Sequence, residues 1–491
     1  MEETAVQPPS QVAERWIYHP AIDLIVGCGA WSVPLLLLAG GAGSTRTWAV
    51  AFYLLALGFN YPHYMATVYR AYHTRSDFAK YRVFTLHITA ALAVVAVASH
   101  VWTAIVPWIF TLYLTWSPWH YTGQNFGLAM MFARRNGIAP TTRERRQLYA
   151  AFLASYALLF ISFHTGPSGD PLIRSIGIPL SVAIPARTVL LVVCAVLGVV
   201  TIGQWIARAG AQASLAPFVL VLTQATWFVV PAMAEWAHGS QVQQTRYVTG
   251  VLALMHSAQY LWITSYYAKR EAGAEHGRWR SWAYIGTLLA GGISLFVPVP
   301  WFASYVFHTD FTQSVLIVTA IVNIHHFILD GAIWKLRDTR VAALLVDSDA
   351  SKTPVATGMR ARPARALRVA ALVVLVAWAV LDQTRFIMGT SATNLSALTR
   401  ASALNPYDSS VRRRRARALI EQKRYDEAYA EYQQFLSWDP HDGEALLNAG
   451  VLAAISGRRD EAIARWTAIS DDDAAKPAAR QYLEQINKAA R

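Results

Sequence analysis

The fold class this sequence predicts is all-α: a polytopic transmembrane helical bundle of about eleven spans, followed by a soluble, helical C-terminal domain. Three observations carry that expectation. Of 491 residues, 54% are hydrophobic and only 15% charged, too apolar a chain of this length for one soluble core. Apolar stretches repeatedly reach the roughly 20 residues a helix needs to cross hydrocarbon. After about residue 390 the pattern changes to charged, alanine-rich segments typical of water-exposed helices.

Residues 1–21 are polar and acidic and read as a cytoplasmic segment without a cleavable signal, so that Ile22 onward would act as an uncleaved insertion signal. Spans are expected at 22–40, 47–69, 82–104, 108–133, 147–164, 186–207, 215–237, 246–268, 281–305 and 313–334, which makes 22–338 a ten-span domain. Positive charge sets the orientation. Arg70, Arg75, Lys80 and Arg82 follow the second span, Arg134 to Arg146 the fourth, and Lys269 to Arg280 the eighth. The alternate loops hold little beyond Arg46, Arg174 and Arg246, so the N-terminus is expected in the cytoplasm of a multi-pass cell-membrane protein. Residues 339–365 read as a cytoplasmic linker rich in Arg, 366–387 as the eleventh span, and 391–491 as a domain on the outer side.

The formal charge of +13 is accounted for by these loops, which removes the argument for nucleic acid as a partner. Cys28 and Cys194 both fall within expected spans and imply no disulfide framework.

Ionisable residues inside a span are costly and point to function. The stretch Gln313 to Arg337 carries Asn323, His325, His326 and Asp330 in its second half. His63 in NYPHY, His120 in SPWHYTGQ and His256 in LMHSAQY sit on three further spans that run in the same direction. At 1.5 Å per residue, all lie roughly 10 to 20 Å from the cytoplasmic end, a shared depth on four parallel helices. Neutral imidazoles bind iron, zinc and copper, so His63, His120, His256, His325 and His326 are the candidate metal ligands. Asp330, one turn after His326, and Tyr260, one turn after His256, are the candidate catalytic groups. Gln124, Asn323, Tyr64 and Tyr121 are expected to orient ligands, and His19 and His87 lie near the same side.

In the C-terminal domain, Asn405-Pro406 recurs as Asp439-Pro440, and Asp426-Glu427-Ala428 as Asp460-Glu461-Ala462, a spacing of about 34 residues. With small residues at Ala428, Gly450 and Ala462 and aromatics at Tyr432 and Trp466, this resembles the tetratricopeptide repeat over Leu395 to Lys488. The resemblance implies a helix-pair array that binds a protein or peptide partner. Arg412 stands where the pattern prefers an aromatic, which marks the first repeat as a cap, and Arg412 to Arg415 read as a solvated face.

The histidine set resembles the histidine-rich membrane non-haem iron enzymes: lipid desaturases, hydroxylases and carotenoid-cleaving oxygenases. The HxxxH and HxxHH boxes of the desaturases are absent, and only the His325-His326 doublet is shared. That resemblance implies an iron-dependent oxidoreductase, with zinc or copper as the alternative metals, acting on a lipidic or isoprenoid substrate taken from the bilayer. Two other classes fit the layout. Lipid-linked-sugar glycosyltransferases share it but need a carboxylate in the first outer loop, and Gly41 to Thr47 supply none. A membrane assembly or transport protein would use the repeats to recruit its partner and the histidines for hydrogen bonding or proton relay.

Overall fold

The computed structural model describes residues 15–39, 54–72, 75–167, 172–238, 247–272, 278–334, 341, 345, 365–391, 394–471 and 473–488. The N-terminal segment to residue 14, residues 40–53, most of the 339–365 linker, and Lys335 and Arg337 lie outside the described residues. Apart from turns, short connections and one isolated bridge between Thr165 and Ile178, what is described is helical, as a chain that must satisfy its own backbone in hydrocarbon requires.

Among the described residues, 7 helices are long and apolar enough to cross a membrane. The expected spans at 22–40, 47–69, 108–133 and 246–268 are not in that set. Three of these four carry His63, His120 and His256. Residues 47–53 of the second expected span lie outside the described residues, and a helix that presents His, Gln, Tyr and Thr to protein neighbours, as those bearing His120 and His256 do, loses mean hydropathy.

Packing divides the chain into two units, Met1–Ile293 with Thr319–Arg365, and Ser294–Val318 with Ala366–Arg491. The first contains α1 (Tyr61–Tyr72), α2 (Thr89–Val101), α3 (Val106–Arg135), α4 (Thr142–Phe163), α5 (Leu180–Ala209), α6 (Ala211–His238) and α7 (Ala253–Ala272). Most of α8 (Arg278–Phe296) also belongs to it. Beyond α9 (Pro298–Phe307), the second half of α10 (Phe311–Ile333) returns to this unit. Helix α4 starts where it does because Thr141 and Glu144 form a capping box, and Arg208 of α5 grips Glu144 at 2.8 Å. From there α4 packs along α5, while α6 packs along α3. Their shared core includes Met131, Phe132, Phe152, Trp205 and Leu220, closed by Trp262 and Tyr266 of α7. Short π-helical turns, Ala56–Asn60 and Tyr247–Leu252, lead directly into α1 and α7. Such wide turns are frequent at functional sites, and these two rotate the starts of α1 and α7 just before His63 and His256.

In the second unit α11 (Arg365–Ser391) is followed by α12 (Leu395–Leu404), α13 (Ser409–Glu421), α14 (Tyr425–Leu436), α15 (Gly443–Ile455), α16 (Arg459–Thr467) and α17 (Lys476–Lys488). The Asp408 side chain caps the N-terminus of α13 and also holds Arg385, which pairs with Asp382 at 2.9 Å. All three are buried, so α11 is tied to the first repeat helix by an ion triad in which each charge has an opposite neighbour. Pairs α13–α14 and α15–α16 bury Leu419, Tyr432, Phe435, Leu446 and Trp466 in one core. Gly450 is glycine because Trp466 lies where its Cβ would be.

The arginine run on α13 is bound rather than free. Arg412 and Arg415 both hold Glu431, at 2.8 and 2.7 Å, and Arg413 reaches Asp442 at 2.8 Å. Arg412 also lies over the Trp438 ring at 5.4 Å, taking the packing role the aromatic has in the repeat pattern. On the next pair, the Tyr429 hydroxyl, with Arg458 and Arg465 beside it, holds the Glu461 carboxyl below the usual range. The Glu431 ties lie within the α13–α14 pair, whereas those of Arg413 with Asp442 and of Tyr429 with Glu461 run to the next repeat.

Candidate metal centre

Helix α1 enters the site through Asn60-Tyr61-Pro62-His63. Pro62 has no N–H and suits the first turn of a helix, and His63 turns its Nδ1 to the Asn60 carbonyl. Ser257 of α7 also bonds that Nδ1 at 2.9 Å. A carbonyl oxygen only accepts, so Nδ1 carries the proton and Nε2 of His63 keeps its lone pair for the centre.

Four imidazoles from α1, α3, α7 and α10 converge. Ring centroids lie 4.8 Å apart for His63 and His326, 5.2 Å for His63 and His256, and 4.9 Å for His120 with each of His256 and His326. His63, His256 and His326 are buried, and His120 is almost so. The donor atoms of His63, His256 and His326 fall within 4.8 Å of one another, as do those of His120, His326 and Asp330. Metal–nitrogen bonds of about 2.0–2.1 Å place donors roughly 3 to 4 Å apart, so this set needs only a small contraction around an ion. Ring centroids 4.8 to 5.2 Å apart leave no room for a porphyrin between these histidines.

The chemistry of the unpaired atoms agrees with that fit. Nε2 of His120, Nε2 of His326 and both ring nitrogens of His256 are buried without a hydrogen-bond partner. Leaving one buried polar group unpaired costs about 1–3 kcal/mol. Several of them facing one point is the arrangement a metal ion repays by taking their lone pairs.

Asp330, on α10 one turn after His326, completes the cluster. Its Oδ2 is 3.5 Å from His120 Nε2 and 3.6 Å from His326 Nε2. Its Oδ1 accepts from Tyr260 at 2.7 Å and from Thr67 at 2.8 Å. Tyr260 in turn accepts from Trp334 Nε1 at 2.8 Å, and the Arg70 guanidinium covers Trp334 at 3.9 Å. Arg70 also bonds the Ile333 carbonyl at 3.1 Å, holding the C-terminal end of α10.

The structure brings His63, His120, His256, His326, Asp330 and Tyr260 together and places His325 elsewhere. His325 bonds Thr89 of α2 through Nε2 at 2.8 Å. Consecutive helix residues project about 100° apart, so only one of the doublet can face a single centre. His19 and His87 are exposed. Gln124 bonds Gln259 at 2.5 Å, and Gln259 the Gly27 carbonyl at 2.9 Å, which ties helices together beside the centre. Asn323 accepts from the Tyr64 hydroxyl at 2.6 Å, and the Tyr121 ring stacks on His256 at 4.3 Å. Thr67, Ser257 and Trp334 were not singled out by sequence. Thr67 had a signal, one turn after His63 on the same helical face.

The fold and the cluster define a polytopic helical membrane protein with a buried His/Asp group able to coordinate a metal ion. Residues 419–486 match the tetratricopeptide repeat family, a region that opens at the end of α13 and runs through α17. No curated protein and no solved structure matches the chain.

Proposed function

We propose that the membrane domain binds one divalent transition metal through His63, His120, His256, His326 and Asp330, and that the protein is a metal-dependent oxidoreductase of a lipidic or isoprenoid substrate. The observation that carries the metal is the convergence of unpartnered, buried imidazole nitrogens on one carboxylate oxygen. Charge favours a single ion. Asp330 is the only carboxylate in either ligand group among the described residues, so one divalent ion leaves a residual charge near +1. Two ions would leave about +3 in a low-dielectric interior, a heavy penalty that carboxylate-rich dinuclear sites avoid.

Iron is the preferred metal. Four imidazoles already fill zinc's usual tetrahedral shell, whereas four imidazoles and a carboxylate on six-coordinate iron leave one position open. Placement within the bilayer supports a substrate that reaches the site from lipid. The repeats support recruitment of a protein or peptide partner.

Full-length protein in nanodiscs should carry about one iron per chain and, once reduced, consume dioxygen when supplied with lipid extract from its host membrane. Iron-loaded protein that neither consumes dioxygen nor changes any lipid by mass spectrometry would refute the oxidoreductase reading. Protein that is folded and metal-free after metal-replete growth would put an assembly or transport role in its place.

The Arg- and Lys-rich loops after α1, α3 and α7 support a cytoplasmic N-terminus and an outer repeat module. A reporter active only in the cytoplasm, fused after Arg491, should be silent; an active one would reverse that assignment.

A further inference from the structure

We propose that Thr67 is the positioning residue that presents Nε2 of His326 and Oδ2 of Asp330 to the metal; this rests on the metal-centre reading above. The Thr67 hydroxyl has three partners: Asp330 Oδ1 at 2.8 Å, His326 Nδ1 at 2.8 Å and the Tyr260 hydroxyl at 2.5 Å. It has one hydrogen to give, and the assignment follows by elimination. A carboxylate oxygen only accepts, so Thr67 donates to Asp330. His326 Nδ1 must then be the donor to Thr67, which puts the ring proton on Nδ1 and leaves Nε2 bare.

The remaining bonds close if one hydrogen is shared. The Trp334 indole can only donate, so it donates to the Tyr260 oxygen at 2.8 Å, and the Tyr260 O–H is bifurcated between Asp330 Oδ1 at 2.7 Å and the Thr67 oxygen at 2.5 Å. Two donors thus occupy Oδ1. The lone pairs of Oδ2 are left facing the two unpartnered Nε2 atoms of His120 and His326, at 3.5 and 3.6 Å. Asp330 is therefore a one-oxygen ligand. A single side chain on α1 sets both the tautomer of one α10 ligand and the orientation of the other.

His256 marks the contrast, since neither of its ring nitrogens has a partner to fix the tautomer. Orienting partners of this kind are typically worth 10–100-fold in metal affinity.

The test is titration of the metal-stripped full chain with Co(II), read by its visible bands and by competition with a chelator. Thr67→Val keeps the volume and removes the hydroxyl, and should weaken Co(II) binding by about 10–100-fold. Thr67→Ser returns the hydroxyl without the methyl and should restore most of that affinity. Tyr260→Phe removes only one of the two donors to Oδ1 and should fall between wild type and Thr67→Val. Should Thr67→Val fail to fold, Thr67→Ala carries the same comparison with Thr67→Ser. Wild-type affinity in a hydroxyl-free variant would overturn the proposal and leave the metal centre standing. So would a Ser variant as weak as Val, because packing would then be the role of Thr67. Absence of Co(II) binding to the wild type would remove the centre and this assignment with it.

Discussion

Alanine at both His256 and His326 is expected to reduce bound metal from near-stoichiometric to background while the protein still elutes as a folded, monodisperse species. Each ring offers one ligand atom, and His326 belongs to both groups of close donor atoms, so losing it together with His256 leaves neither group whole. The fold should tolerate the change. His256 makes no hydrogen bond, and His326 makes one across helices, to Thr67, in a class worth about 0.6 to 2 kcal/mol. His325→Ala is the internal control. It removes a histidine of the same span but breaks only the bond to Thr89, and metal content should stay at the wild-type level. Elemental analysis of the three proteins reads both expectations. Metal retained by the double variant would move the centre away from α10, and metal lost with His325 would return the doublet to the ligand set.

How much of this was legible in sequence differs from element to element, for physical reasons. The repeat module was the most legible, because stacked helix pairs impose a regular spacing and need small residues such as Gly450 where Trp466 packs. Spans that face lipid were legible through apolarity alone. The helices bearing His63, His120 and His256 were less so, since a helix enclosed by protein need not be apolar and its ends blur. Equal depth along parallel helices singled out the residues that the structure gathers, because a bundle brings side chains of one depth to one layer.

What depth does not supply is angle and second partners. The separation of His325 from His326 follows from the helical turn of about 100° per residue. Its partner Thr89, by contrast, comes from a helix more than two hundred residues away in sequence, in an order no pattern encodes. Thr67, Ser257 and Trp334 are common residue types in membrane helices, and only their distances to His326, His63 and Tyr260 set them apart.

Position of α1 against α8 is a further determinant of the site, and Gly292 tests it. A Cβ built on Gly292 would lie 2.6 Å from the carbonyl carbon and oxygen of Tyr61 and 2.9 Å from the nitrogen of Pro62. These are backbone atoms and cannot rotate out of the way. Gly292→Ala therefore requires α1 to move relative to α8, and overpacking of this kind costs about 1–3 kcal/mol. His63 directly follows Pro62 and moves with it, so the same displacement is expected to weaken Co(II) binding by about tenfold or more, at 1.4 kcal/mol per decade. Gly291 supplies the comparison. The nearest atoms to its added Cβ are Cγ, Sδ and Cε of the Met65 side chain, which has rotatable bonds to yield with, so Gly291→Ala should bind Co(II) within about threefold of wild type. Affinity unchanged in Gly292→Ala would mean that α8 does not set the register of α1. An equal loss in both variants would assign the effect to general loosening of the helix pair, and only a loss confined to Gly292 ties the close backbone contact to the position of His63.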